Sequence, residues 1–264
     1  TRAGIRRRAE GEDNGDSIAL ALAVQQVSSW ATRQALKGSS QGEEDVNAVY
    51  ADIITKLART RGQQQYADGD FEALIRTLEK QEQRASEFVR FGLMKPLKVS
   101  SIIGAVRNTI AASRDVVLSV LEPYVSSLNA RLDALEPIRA QLAGFVDTMN
   151  SFYRNKSVRL DVNRGMRIDS KSGDRLAPSM LSSGEGQLLF ILASTITAKE
   201  RGGLFMIDEP EISLNVKWQR QLLRALLDLT GDSKIQFVMA THSIELLTLY
   251  DEFVLDLEDV SERK

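Results

Sequence analysis

Residues 202–211 read GGLFMIDEPE, and this stretch decides the fold. An apolar run between a glycine pair and two acids is typical of a strand buried in a parallel sheet. Open α/β sheets bind ligands at the carboxyl ends of such strands, where Asp208 and Glu209 stand. Paired carboxylates there suit Mg²⁺-nucleotide chemistry, because Asp208 can hold the ion through water and Glu209 can orient or deprotonate an attacking water. A solvated strand end followed by a helix-starting proline is the structural alternative.

A second apolar run, IQFVMA at 235–240, is followed by the one histidine of the chain, His242. Parallel strands end at the same edge of a sheet, so we expect His242 to lie beside Asp208 and Glu209. An imidazole at that edge can contact a terminal phosphate. A histidine with a purely structural role is the alternative, and the shared edge favours the functional interpretation.

A serine- and glycine-rich turn opens a third apolar segment, SMLSSGEGQLLFILA at 179–193. Free backbone N–H groups and the positive end of a helix together form an anion site. Ser182 adds a hydroxyl donor, and Gly184 allows the backbone to approach a ligand closely. A carboxylate repels phosphate, so Glu185 is expected to cap the helix or to contact a ribose or a partner group.

Strands and helices alternate around these runs. SVRLDV and MRIDS flank Asn163-Arg164-Gly165 and predict a β-hairpin. The downstream order is a helix at 187–200, the strand LFMID, a helix near 214–229, the strand IQFVMA, a helix near 243–249 and the strand EFVLDL. This order predicts an α/β fold whose parallel sheet carries helices on both faces.

The upstream half has helical periodicity instead. Apolar positions at helical spacing predict helices over 17–37, 46–57 and 70–91. We therefore expect an all-α bundle or hairpin arm over residues 1–152, followed by the α/β part over 153–264.

One upstream segment resembles a short coiled-coil seam. Apolar residues from Leu128 to Met149 recur in steps of three and four. Pro137 is expected to kink this helix, and Arg139 lies in the seam. Both features argue against a long uninterrupted coiled coil.

Composition excludes several classes of protein. The 264 residues are 43% hydrophobic and 27% charged, as in ordinary globular proteins, and no cysteine is present for disulfides or thiolate metal sites. No apolar run reaches the roughly 18 residues of a membrane span, so we expect a cytoplasmic protein without membrane contact. The net charge of −2 provides no global basic field, so any nucleic acid must bind through local patches.

Four motifs occur in order and together resemble the ABC-type ATPase domain. They are LSSGEGQ, LFMIDEPE, SLN and ATHS, and the resemblance covers residues 157 to 257. In that family they are the signature motif, the Walker B strand with its catalytic glutamate, the D-loop and the H-loop. LSSGE and EPEISLNVKWQ are similar to the OLD-like and SMC-like branch, as in anti-phage defence ATPases of the PARIS or Septu type.

The resemblance implies a homodimer, or a higher homo-oligomer, that closes around ATP and Mg²⁺. The signature of one subunit would contact the γ-phosphate bound to the other, Asp208 would hold the metal, and Glu209 and His242 would be catalytic. The family usually has Asp, or His in the OLD-like branch, where Asn215 stands. Trp218 and Gln219 are expected to pack and to lie on a helix surface. The implied cofactor-binding set is Ser182, Ser183, Gly184, Glu185, Ser213 and Asn215.

The phosphate loop that such a site needs is not in the sequence. The pattern G-x-x-x-x-G-K-[ST] does not occur, so the chain has no cradle for the α- and β-phosphates. Because the chain begins with Thr1 and family order places this loop before a helical insertion, we expect the C-terminal portion of a longer ATPase. A degenerate, non-hydrolysing ATPase is the alternative, with little use for Glu209 and His242.

Two functions follow from the resemblance. The first is an ATPase switch or scaffold for an effector, often a nuclease, in bacterial anti-phage defence. The second is an SMC-like DNA-repair ATPase that clamps DNA with its helical arm, for which the candidate basic residues are Arg59, Arg61, Lys95 and Lys98. A transporter subunit is a third option, and the large helical block before the signature argues against it.

Overall fold

The computed structural model describes residues 15–37, 68–97, 99–108, 114–199, 202–231 and 233–255. The chain divides into two compact units. The sheet unit comprises Thr1–Val27, Gly144–Arg159 and Met166–Lys264, and the helical unit comprises Ser28–Ala143 and Leu160–Gly165.

Helix α1 covers residues 15–37, and α2 (Asp68–Arg90) and α3 (Val99–Arg107) follow it. The helices predicted over 17–37 and 70–91 are thereby confirmed, whereas the one predicted over 46–57 lies outside the described residues. Apolar side chains at helical spacing on α2 and α3 meet the start of the next helix in one core. Its buried members are Leu74, Ile75, Leu78, Val99, Ile103, Val106, Leu118 and Val125.

Helix α4 (Arg114–Phe152) is 39 residues long and contains both Pro123 and Pro137. The helix continues through both prolines, and the kink expected at Pro137 stays a prediction. A proline inside a helix costs about 3 kcal/mol, which burial of the surrounding seam residues can offset. Arg139, which the spacing places in the seam, is 23% exposed and binds Glu136 (Nη2 to Oε1, 2.6 Å), so its charge is paired. The buried seam residues are Leu128, Leu132, Leu135, Leu142, Val146 and Met149.

Three short strands follow α4 in the order β1-β2-β3. They are β1 (Lys156–Asp161), β2 (Gly165–Ser170) and β3 (Arg175–Leu176), and β3 pairs antiparallel with β2. The hairpin predicted around Asn163-Arg164-Gly165 is confirmed. Asp161 Oδ1 accepts hydrogen bonds from the N–H groups of Asn163 (2.8 Å) and Arg164 (3.0 Å), which stabilises the turn.

The remaining elements alternate as predicted, and the α/β fold class is confirmed. They are α5 (Ser183–Ala198), β4 (Gly203–Asp208), α6 (Val216–Thr230), β5 (Ile235–Ala240) and α7 (Ile244–Leu249). β4 and β5 are parallel and in register from Gly203↔Ile235 to Asp208↔Ala240. α5 is buried on most sides, and α6 buries the stripe Leu222, Leu226 and Leu229.

One predicted helix boundary and one predicted strand are wrong. α5 begins at Ser183, four residues before the predicted start at 187, because a capping box forms inside the serine–glycine turn. The strand predicted for EFVLDL is absent over 252–255, the part that the structure describes. Asp251–Phe253 is a 3-10 turn there, with the Val254 N–H bonded to the Asp251 carbonyl oxygen (3.2 Å). Within the described segments, no helix combines the length and the apolar character that crossing a bilayer requires.

Candidate functional site

The carboxyl ends of β4 and β5 bring together the acids and the histidine singled out by the sequence. Asp208 lies opposite Ala240, and the Glu209 N–H donates to the Ala240 carbonyl oxygen (2.8 Å), which extends the ladder by one residue. Glu209 Oε1 is 3.9 Å from His242 Nε2. The His242 side chain is 91% exposed and that of Glu209 is 44% exposed. Both side chains are therefore open to a ligand at this edge.

The loop after β4 has an unusual backbone. Glu209 (φ 43°) and Ser213 (φ 63°) are the non-glycine residues with positive φ in the described part of the chain. Side chains in that region cost on the order of 1–3 kcal/mol, and such residues cluster at functional sites. Hydrogen bonds from Ile212 N to the Glu209 oxygen (3.1 Å) and from Leu214 N to the Glu211 oxygen (2.9 Å) hold the loop.

Glu211 is a site residue that the sequence reasoning missed. Its Oε1 accepts hydrogen bonds from the Thr241 hydroxyl (2.7 Å) and from the His242 N–H (2.8 Å). Burial raises the pKa of Glu211, but the donors from Thr241 and from the loop backbone lower it more, so its pKa lies below the usual value. The available signal was a third acid three residues after Asp208.

The amide of Gln219 also contacts this loop. Its Nε2 donates to the Leu214 carbonyl oxygen (2.9 Å), and its Oε1 accepts from the Ser243 hydroxyl (2.8 Å). Gln219 was expected at a helix surface; it lies half-buried on α6 and bridges the loops that follow β4 and β5. Trp218 does pack, with its ring edge-to-face on Phe152 at a centroid distance of 6.1 Å.

The start of α5 is a complete capping box. The Ser182 hydroxyl oxygen accepts from the Glu185 N–H (3.4 Å), and Glu185 Oε2 accepts from the Ser182 N–H (2.8 Å) and hydroxyl (2.9 Å). Of the roles expected for Glu185, helix capping is the one present in the structure. The first backbone bond of the helix runs from Gly186 N to the Ser182 oxygen (2.8 Å). The N–H groups of Ser183 and Gly184 precede it and have no acceptor within the helix; Ser183 is exposed, whereas Gly184 is buried.

A lysine that the sequence reasoning also missed neutralises the capping carboxylate. Lys156 Nζ lies 2.6 Å from Glu185 Oε2, and the two side chains are 21% and 12% exposed. Burial raises the pKa of Glu185, but hydrogen bonds from Lys156 and Ser182 lower it more, so its pKa falls below the usual value. The Tyr153 hydroxyl donates to the Glu185 carbonyl oxygen (2.9 Å), and burial raises the pKa of that phenol, so it stays a donor.

The signature turn is packed against the segment that precedes α6. The Ser183 hydroxyl donates to Ser213 Oγ (3.0 Å). A Cβ on Gly184 would clash with the Ser213 carbonyl oxygen and lie 3.3 Å from the Trp218 ring, so only glycine fits. Asn215 Oδ1 accepts from the Trp218 N–H (3.1 Å) and caps α6. The two predicted cofactor-binding segments thus touch each other.

The described residues fit Mg²⁺ only if water and phosphate oxygens supply most of its ligands. No group of three acidic, histidine or cysteine side chains in the described segments is placed to hold a metal. Mg²⁺ is commonly bound by one or two carboxylates together with water and phosphate oxygens. Asp208, as a single carboxylate at the strand end, suits that role.

A sequence profile described as "AAA domain, putative AbiEii toxin, Type IV TA system" matches residues 52–248. The chain belongs to this AAA family. Over 137 residues it is 25% identical to the phosphonates import ATP-binding protein PhnC 2 of Haloarcula marismortui, which covers 50% of this chain and 49% of that protein. It is 40% identical over 87 residues to the molybdenum import ATP-binding protein ModC of Salmonella typhimurium, covering 33% of this chain and 23% of the relative. This AAA-family chain thus spans about half the length, or less, of these relatives.

Solved structures include a similar chain at low identity. One such structure is the Smc head domain with an extended coiled coil from Pyrococcus furiosus, bound to the C-terminal domain of ScpA. The match covers 83% of this AAA-family chain and 51% of the Smc chain. The sequence identity is 15% and the TM-score is 0.35.

Proposed function

We propose that this chain is part of an ABC-type ATPase subunit that dimerises around ATP, hydrolyses it and acts as a switch or scaffold for an effector in bacterial anti-phage defence. The observation that carries the ATPase proposal is the open edge where Asp208, Glu209 and His242 meet, at the end of two parallel strands. Membership of the AAA family and similarity to ATP-binding proteins agree with it. The defence role and the effector rest on the resemblance of the motifs alone.

Each residue of the edge has a distinct task in this mechanism. Glu209 orients and deprotonates the attacking water, because its carboxylate is exposed and its backbone is fixed by the ladder bond to Ala240. His242 donates to the γ-phosphate, and Asp208 would hold Mg²⁺. When bound, Mg²⁺ supplies charge neutralisation at the phosphate oxygens.

The second half of the site comes from α5 of another copy. The N–H groups of Ser183 and Gly184 bind the γ-phosphate that the partner holds at its own sheet edge. Contacts between Ser183 and Ser213 support a role for the Ser213–Asn215 segment in transmitting closure from one site to the other.

The proposal needs a phosphate loop, and none of the 264 residues form that pattern. We place this loop upstream in the native polypeptide. The intact mass of the protein from its natural source should then exceed that of the 264 residues. A mass equal to theirs would mean that a partner protein supplies the loop or that the chain has lost it.

Replacement of Glu209 by glutamine tests the mechanism in the native polypeptide. We expect hydrolysis to fall by about 100-fold or more, the usual contribution of a general base, while ATP-dependent dimers accumulate. Asp228→Asn, an exposed carboxylate on α6, is the matched control and should hydrolyse normally. Normal turnover by Glu209→Gln would remove Glu209 from the mechanism, and a wild type without ATP-dependent dimers would reject the whole proposal.

One observation favours the DNA-binding alternative. Arg159 and Arg167 are exposed on one face of the β1-β2-β3 sheet, with Nε atoms 3.2 and 3.3 Å from the buried Asp169. Arg175 stands opposite Asp169 on β3 and is also exposed, so a third arginine lies next to the two that pair with this carboxylate. Of the basic residues proposed from the sequence, only Lys95 is described, and it is exposed.

A salt titration of DNA affinity tests this alternative. If the arginine face binds phosphates, Arg167→Ala should reduce the log–log salt slope by about 0.9, whereas Lys95→Ala should leave it unchanged. Absence of binding at low salt would eliminate the clamp.

A further inference from the structure

Among the residues that the structure describes, little packs around the imidazole that the proposed mechanism uses. The His242 side chain is 91% exposed, and its 3.9 Å separation from Glu209 Oε1 is too long for a hydrogen bond. The direction of this side chain must therefore be set by its backbone. Three consecutive residues, Thr241 to Ser243, form the loop that carries it between β5 and α7.

The loop that follows β4 holds the backbone of residues 241–243 in place. Glu211 Oε1 accepts both the Thr241 hydroxyl (2.7 Å) and the His242 N–H (2.8 Å). Thr241 Oγ1 in turn accepts from the Ser243 N–H (3.0 Å). Removing the one carboxylate oxygen would release the hydroxyl and the N–H together. Glu211 Oε2 is buried and has no hydrogen-bond partner in the described part of the chain, so the whole attachment passes through Oε1.

We propose that Glu211 is a positioning residue for His242, which it holds at the β4–β5 edge by anchoring the Thr241–His242 backbone. The inference rests on the ATPase function proposed above. Glu211 contacts neither water nor phosphate in this role; it acts through the histidine. The segment from Glu209 to Ser213 then has two tasks, since its first residue activates water and its third sets the phosphate sensor.

The test begins with the native polypeptide and four single variants. Misplacement of a reacting group by about 1 Å can cost 100-fold in rate, so we expect Glu211→Ala to lower kcat by about 10- to 100-fold. Glu211→Gln keeps an acceptor oxygen and should recover most of that loss. Thr241→Val removes one of the two donors and should have a smaller effect than Glu211→Ala, while Thr241→Ser keeps the hydroxyl and should behave as wild type.

Two readouts separate positioning from general destabilisation. Because His242 contacts only the γ-phosphate, Glu211→Ala should weaken ATP binding and leave ADP binding unchanged. The Glu211→Ala/His242→Ala double variant should be no slower than His242→Ala, since both changes remove one function. The proposal would be overturned if the double variant lost rate by the product of the two single losses. It would also be overturned if Glu211→Ala weakened ATP and ADP binding equally.

A third measurement does not depend on nucleotide. Amide hydrogen exchange at His242 in the wild-type chain should be slow and should accelerate in Glu211→Ala. Unchanged exchange would overturn the positioning role even if the ATPase stands. A wild type without ATP hydrolysis would instead reject the proposed function, whatever the exchange result.

Discussion

The pairing of Lys156 with Glu185 gives the sharpest quantitative prediction. Lys156→Met keeps most of the side-chain volume and removes the cation 2.6 Å from Glu185 Oε2. Hydrogen bonds to charged groups contribute about 1.5–3 kcal/mol, and breaking a fully buried pair costs about 3–5 kcal/mol. Glu185 keeps the Ser182 N–H and hydroxyl, so we expect the lower range. The predicted loss is about 2 kcal/mol, or about 30-fold in the folding equilibrium.

Urea unfolding of the chain measures this loss, and a second pair supplies the control. Arg220 Nε and Glu245 Oε2 lie at the same short range, 2.7 Å, but their side chains are 57% and 34% exposed. Solvent screens exposed pairs, which contribute little to stability, so Arg220→Met should cost clearly less. Both pairs belong to the sheet unit, so both variants report on the same part of the molecule.

The same pair predicts a pH dependence with a definite sign. The pKa of Glu185 is lowered in the folded protein from a usual value of 4.5. The stabilisation from its ionised form is therefore complete above that usual value and is lost as pH falls through the lowered one. The gap between wild type and Lys156→Met should close in acid. A gap that persists in acid, or a neutral-pH loss no larger than that of Arg220→Met, would refute the reasoning.

Three further substitutions probe the packing of the signature turn. Gly184→Ala should destabilise the sheet unit by about 1–3 kcal/mol, as overpacking does, because the added methyl group meets the Ser213 carbonyl oxygen. Thermal melting measures this loss. Gly173→Ala is the comparison, because its added methyl group meets no atom although the backbone there has a positive φ. Asn215→Ala should cost about 1 kcal/mol of unfolding free energy through loss of the α6 cap, and Asn215→Asp should not. Tyr153→Phe should cost about 1 kcal/mol in urea unfolding, since it leaves the Glu185 carbonyl without its donor.

Much of the fold follows from local patterns. The runs LFMID and IQFVMA became β4 and β5 because short apolar stretches bounded by turns have few other stable structures. EFVLDL satisfied the same pattern and failed over its described part. Exposure does not explain the difference, because Met206 on β4 is 73% exposed and Phe253 is 74% exposed, so the burial expected for LFMID is not present in the described structure either. The difference is backbone pairing, since β4 and β5 pair with each other over six positions, whereas residues 251–253 form a 3-10 turn. Periodicity shows which residues can be buried, and the surface that buries them comes from the rest of the fold.

Part of the candidate site could also be predicted from the sequence, and part depends on tertiary packing. Asp208, Glu209 and His242 could be placed together from sequence because the ends of parallel strands meet by geometry. The pairs Lys156–Glu185 and Glu211–Thr241 could not, since their members are 29 and 30 positions apart and meet only through tertiary packing. The role of Glu185 was open between capping and ligand contact because Ser-x-x-Glu fits both; the Lys156 charge gave no local signal.

The positive φ angles at Glu209 and Ser213 affect how this protein can be engineered. Glycine at position 213 would relieve the backbone strain, although it would also give the unfolded chain more freedom and lose the Ser183 hydrogen bond. A variant that relaxes this loop without those two losses would gain thermal tolerance and would loosen the geometry on which the proposed turnover depends. Selection for heat resistance and selection for catalytic rate would therefore enrich different residues at these two positions.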